Sequence, residues 1–341
     1  MRKQNKSLED IQRLKAETRR QKEIDCVKKR IAFNNSWTDG AMWRDDAFDR
    51  LQDYLKVTPI WTNVVLNEEN AFNYFDANPI IDKAFSLYLD SFDVIPYHPD
   101  LAFDIIWRVF EASLVNYGNT HWKPCPEGTH VLVTRASSEI ISALANQDPS
   151  LKSLIQEYLE HIPLPLLRYM FARMYYEREL GVSQQLELIQ SRCKTILGDT
   201  YALIKDKYGI KKDSPSPENQ RNAALLLGKI LRGEKVVLGT PKKTVITLPL
   251  TDRIDLFING ILFTSRCERF HGDVPSPFKS SLNTSLSRYQ AYYYLSAATA
   301  IFYYCILYKE ASYSGNEVFS MKNLVESFGT LRKNISGMHD D

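Results

Sequence analysis

Between residues 100 and 118 apolar side chains recur at the helical interval. Leu101, Ile105, Val109 and Ala112 follow one another at i, i+4, i+8 and i+11, with Phe103, Ile106 and Phe110 beside them. That spacing predicts an amphipathic helix with one face in a core. Helical patterns then continue in series over 136–145, 151–161, 164–180, 183–208 and 220–232. Tracts of strand character are short, chiefly 129–134 and 236–248, the second punctuated by Gly239, Pro241 and Pro249. Residues 289–308 carry no charge and are long enough to cross a bilayer. Their Gln290, Ser296, Thr299 and seven tyrosines would sit badly at hydrocarbon depth, so 285–309 reads as a helix of a protein core, with no membrane involved. The expected fold class is mainly α, a helical bundle with helical N-terminal additions and little strand.

Four regions can be marked. Residues 1–32 read as a basic leader helix, with Leu8, Ile11, Leu14, Ile24, Val27 and Ile31 at helical spacing. Residues 33–95 are an N-terminal helical region, with or without a core of its own. Residues 96–312 form the main helical domain with insertions, and 313–341 a polar C-terminal tail. The stretch 211–219, KKDSPSPEN, has linker composition, marking either a domain boundary or an exposed loop between helices.

Composition narrows the class without naming it. With 44% apolar and 25% charged residues in 341, the chain can bury a core and is neither disordered nor fibrous. Only 14 Gly and 15 Pro are too few punctuation marks for an all-β chain of this length. Net charge is +2 overall, but residues 1–30 hold +6 and the remainder about −4, so any basic surface is local. The five cysteines (Cys26, Cys125, Cys193, Cys267, Cys305) are scattered and form no C-x-x-C pair, which fits a reducing, cytoplasmic compartment. Residues 1–30 contain no apolar signal region.

Two familiar signals fail. Gly228 and Gly233 have phosphate-loop spacing, but Glu234 stands where lysine belongs and the segment continues a helical pattern. His121, Cys125 and His130 share one loop, yet their spacing fits no standard zinc site, so no metal or other cofactor is expected.

The most informative segment is residues 251–273, TDRIDLFINGILFTSRCERFHGD. Ile254, Phe257, Ile258, Ile261, Leu262 and Ser265 describe a helix with one buried face. Arg266 emerges at the border of that face, where a guanidinium needs an anionic partner. Gly272 ends the helix, and Pro275 and Pro277 prevent its continuation. Residues five apart on a straight helix point about 140° from one another, so the helix end is what lets His271 turn back towards Arg266.

Arg266, Cys267, Glu268, Arg269, Phe270, His271 and Gly272 resemble the ribonuclease motif of the HEPN superfamily, an arginine and a histidine separated by four to six residues. The arginine, aromatic, histidine and glycine match in register, whereas Cys267 and Glu268 stand where asparagines are usual. A second pair of permitted spacing, Arg332 and His339, lies in the polar tail and reads as coincidence. The resemblance covers residues 251–309; it implies a HEPN-like bundle over 96–312 and metal-independent RNA cleavage, with Arg266 and His271 catalytic and Arg269, Glu268 and Lys279 near the substrate. It further implies a homodimer, a role in bacterial defence or toxin–antitoxin stress response, and an antitoxin or defence partner. The tyrosines on several faces of 285–309 suggest that helix for the dimer contact. The competing reading is a non-catalytic helical interaction or nucleotide-binding module with a degenerate motif.

Overall fold

The computed structural model describes residues 64–95, 98–175, 184–208, 217–239, 241–270 and 286–329, together with isolated positions between 13 and 28. Those isolated positions are helical and exposed; Arg13 pairs with Glu17 at 3.1 Å and Gln21 donates to Asp25 at 2.9 Å, one turn apart in each case. Most of the basic leader, of 33–63 and of the 211–219 stretch lies outside the described residues, as do Arg332 and His339.

Among the described residues the fold is mainly helical, and strand is confined to one antiparallel hairpin, β1 (Val236–Leu238) with β2 (Thr244–Ile246), in which Val237 faces Val245. The helices are α1 (Glu68–Ala77), α2 (Pro79–Val94), α3 (Pro99–His121), α4 (Thr129–Ala136), α5 (Ala143–Gln147), α6 (Pro149–Glu160), α7 (Leu164–Tyr175), α8 (Gln184–Leu197), α9 (Asp199–Lys207), α10 (Pro217–Arg232), α11 (Leu250–Phe257), α12 (Phe263–Phe270), α13 (Leu286–Tyr313) and α14 (Met321–Gly329). Their ends follow the local chemistry. Proline occupies the first turn of α2, α3 and α6, where its missing N–H costs nothing. Asp148 caps α6 by accepting from the amides of Ser150 at 2.8 Å and Leu151 at 2.9 Å. Gly198 at φ 54 divides the pattern over 183–208 into α8 and α9, because a left-handed residue cannot continue a helix.

The long helices α3 and α13 pack side by side at the centre, and α2 closes on α3. Tyr88 of α2 reaches Tyr303 and Tyr304 of α13, with ring centroids 5.2 and 5.4 Å apart. The region before residue 96 therefore shares the main core where it is described. It is also laced to the far end of the chain, since the Asn67 amide donates to Val318 O at 2.8 Å and Asn323 Nδ2 to Val65 O at 3.1 Å.

Four sequence expectations are corrected. Residues 129–134 form α4 rather than a strand: Thr129, Val131 and Val133 alternate as in a strand, but Leu132, Val133 and Ala136 share a buried helical face. Not all of 313–341 is tail, because α14 inserts Leu324 and Phe328 into the core and Phe328 meets Tyr304 at 6.1 Å. Nor does α13 show the aromatic surface expected over 289–308: Tyr289, Tyr293, Tyr294, Tyr303 and Tyr304 are buried within one chain and Tyr292 and Tyr308 half-buried, leaving Tyr313 at the helix end exposed. In α3, moreover, the face in the core is shifted from the one expected. Leu101 is 44% exposed, while Phe103, Ile106, Trp107 and Phe110 are fully enclosed.

Two π-helical segments, 137–142 and 258–262, interrupt the helices that flank them. They are stitched together by polar side chains. Asn259 Nδ2 donates to Asp255 Oδ1 at 2.6 Å and to Thr134 Oγ1 at 3.2 Å, and Ser137 Oγ donates to the same Asp255 oxygen at 2.9 Å. Gly260 lets α7 approach this segment, since a Cβ there would stand 2.4 Å from Met170 Cε.

Candidate functional site

The segment 263–270 is a polar wedge driven between α3 and α7, and each of its charges meets a different neighbour. The anionic partner that Arg266 requires is Glu111 of α3. Arg266 Nη2 lies 3.0 Å from Oε2 and 3.3 Å from Oε1, with the two side chains 19% and 22% exposed. Glu111 is itself fixed, accepting from Trp107 Nε1 at 3.0 Å and from Thr129 Oγ1 at 2.8 Å. The α4 start thus helps to aim the guanidinium. Both helices hold the carboxylate, and the carboxylate holds the arginine.

Arg269 is placed otherwise. Its side chain is 6% exposed and is clamped by Asp104 at 2.6 and 2.8 Å and by Asp100 at 3.3 Å, with Tyr292 of α13 across its plane at 5.1 Å. Burial alone would lower the Arg269 pKa, yet the hydrogen bonds and charge of Asp104 carry it above the ordinary value. Burial pushes the Asp100 carboxyl up despite the nearby Arg269. Glu268 is buried and pairs with Arg173 of α7 through both carboxylate oxygens, one at 3.0 Å. Neither Arg269 nor Glu268 presents a free charge to solvent. Cys267 is half-buried, and desolvation raises its thiol pKa more than Arg266 and Arg192 lower it, so it stays protonated at neutral pH.

The described part of this segment ends at Phe270, 38% exposed, whose ring has Arg266 Cζ at 4.6 Å and Arg108 Cζ at 5.1 Å. His271 and Lys279 lie outside the described residues. The structure therefore sets Arg266 against Phe270, the residue before His271 in the sequence. Chemically, the arrangement offers a pre-aimed guanidinium beside an exposed aromatic ring; its Nε is buried, so an oxyanion would be engaged by the Nη groups that Glu111 leaves open.

The loop donors His121, Cys125 and His130 are not gathered on one point. His121 Nε2 meets Glu310 Oε2 at 3.0 Å and its ring stacks on Tyr313 at 4.2 Å, while Cys125 Sγ lies 3.8 Å from Pro126 O. Among the described residues no group of three or more His, Cys, Asp or Glu side chains could hold a metal ion, and no helix is long and apolar enough to cross a membrane.

Glu111, Asp104, Asp100, Arg173 and Arg108 are the site neighbours that sequence reasoning did not assign. One signal for most of them was present: Asp100, Asp104, Arg108 and Glu111 recur at i, i+4, i+8 and i+11, a charged stripe one residue out of step with the apolar one. Compared with models of protein families, with curated proteins and with solved structures, the chain has no match.

Proposed function

We propose that the protein is a metal-independent endoribonuclease of bacterial defence or stress response, acting in the cytoplasm on RNA through Arg266 and His271. The observation that carries the reading is Arg266 held by Glu111 at the end of a helix, against the exposed ring of Phe270, the residue before His271. Its mechanism follows from the residue types. The ribose 2′-hydroxyl attacks the adjacent phosphorus; the new O2′–P bond forms as the P–O5′ bond breaks. The 2′-hydroxyl proton passes to a neutral imidazole, and O5′ takes a proton from an imidazolium, leaving a 2′,3′-cyclic phosphate and a 5′-hydroxyl with no water consumed. Arg266 holds the charge that gathers on the non-bridging oxygens.

A base on one side and an acid on the other are best supplied by two copies of the motif, so the active form is a homodimer with its two Arg266/His271 pairs facing one cleft. Its contact lies elsewhere than on the buried faces of α13. An antitoxin or defence partner protein would cover that cleft.

The test is cleavage of RNA by purified protein in excess EDTA, with end-group analysis. Expected are 5′-hydroxyl ends, survival of activity under chelation, and a loss of at least about a hundredfold in His271→Ala and Arg266→Ala. Mixing these two variants restores part of the activity if the groups act across an interface. A second reading is favoured by the ion pairs themselves: Arg266 neutralised by Glu111 suits a non-catalytic helical module. That module would leave RNA intact, and Arg266→Ala would change only its stability.

A further inference from the structure

Arg108 is the cation of this region whose helical partners are both taken. On α3 its natural partners one turn away are Asp104 at i−4 and Glu111 at i+3. Asp104 accepts from Arg269 Nε and Nη2 at 2.8 and 2.6 Å. Glu111 accepts from Arg266, Trp107 and Thr129, which occupy both of its oxygens. Among the described residues Arg108 has no carboxylate within ion-pair distance; it is exposed, and its guanidinium rests by the ring of Phe270 at 5.1 Å. Arg266 reaches the same ring at 4.6 Å.

Two guanidiniums thus share one exposed aromatic ring, Arg266 anchored by Glu111 and Arg108 exposed on the same ring. A guanidinium over a ring face still directs its in-plane N–H groups outward, free for bidentate contact with a phosphate. We infer that Arg108 is a substrate-binding residue, contacting a phosphodiester of single-stranded RNA next to the one engaged by Arg266. The inference rests on the ribonuclease reading and names a binding contact for it, since Arg108 supplies charge to the backbone and takes no part in proton transfer.

The experiment measures binding of a fluorescent, 2′-O-methylated RNA oligonucleotide, which cannot be cut, across a salt series, for wild type, Arg108→Gln and Arg108→Lys. Arg108→Gln should bind about fivefold or more weakly, with the slope of log affinity against log salt smaller by about 0.7, the value for one phosphate contact on a single strand. Arg108→Lys keeps most of that slope. With cleavable RNA, Arg108→Gln raises KM and leaves kcat within about threefold, whereas Arg266→Ala lowers kcat. Because Arg108 is exposed, its variants keep the wild-type melting curve. Wild-type binding with unchanged affinity and slope in Arg108→Gln overturns this inference alone. A folded wild type that neither binds nor cleaves RNA overturns the ribonuclease reading and this contact with it.

Discussion

Arg266 and Arg269 are three positions apart on one helix and both face α3, yet they occupy different electrostatic settings. Arg269 is sealed from water between a half-exposed and a fully buried aspartate, whereas Arg266 keeps an edge in solvent. Removing Arg269 leaves Asp100 without its cation in a dry site, so Arg269→Ala is expected to cost about 3 kcal/mol. Arg266→Ala, whose partner Glu111 retains Trp107 and Thr129 and some water, is expected to cost about 1 kcal/mol. Urea unfolding of the two variants checks the order; equal losses would mean that Arg266 is as structural as its neighbour. At this scale the sequence showed that Arg266 needs an anion, because its position at the border of an apolar face is a local property. It did not show which anion, because Glu111 is 155 residues away and its approach depends on how α3 is rotated.

At the level of elements, apolar spacing marked most helices because each buries a stripe that its own sequence displays. It failed where packing overrides local preference. The alternating β-branched residues of 129–134 form a helix once Leu132 and Val133 find the core, and the interruption of α4 and α11 by π turns leaves no mark in periodicity. The Asp255 link between those turns gives a pH test. Burial raises the Asp255 carboxyl pKa, against the hydrogen bonds from Ser137 and Asn259. A carboxyl whose folded pKa is raised binds more protons folded than unfolded, so its contribution to stability falls as pH rises from the ordinary carboxylate value near about 4 towards the folded one. Asp255→Asn abolishes that titration. The stability of the variant relative to wild type should therefore improve as pH is raised through this window, as read from urea midpoints at successive pH values. A constant difference would show that Asp255 titrates alike folded and unfolded.

For the whole molecule, the described first and last helices are fastened to one another and to the same core, so the ends are not accessories. Met321, Leu324 and Phe328 sit at i, i+3 and i+7, a short apolar repeat easily lost among the polar residues around it. Deleting 321–341 strips Leu324 from the core and Phe328 from Tyr304, a loss of about 4 kcal/mol or more by the usual cost of emptying such sites. Deleting only 334–341 should leave the melting temperature within a degree or two, and the RNA cleavage rate within about twofold. If the longer truncation melts like the full chain, α14 is not part of the cooperative unit.

The burial of α13 on every side over 293–307 also orders events in time. Helices α1 to α12 leave the ribosome before the rod around which they close, and α3 must wait for residues nearly two hundred positions downstream, as its Pro99 carbonyl waits for Ser296. Until then their apolar stripes have only one another, or a chaperone, to lie against. A growing chain that stalls before residue 286 therefore carries Arg266 without the helix that packs along α3.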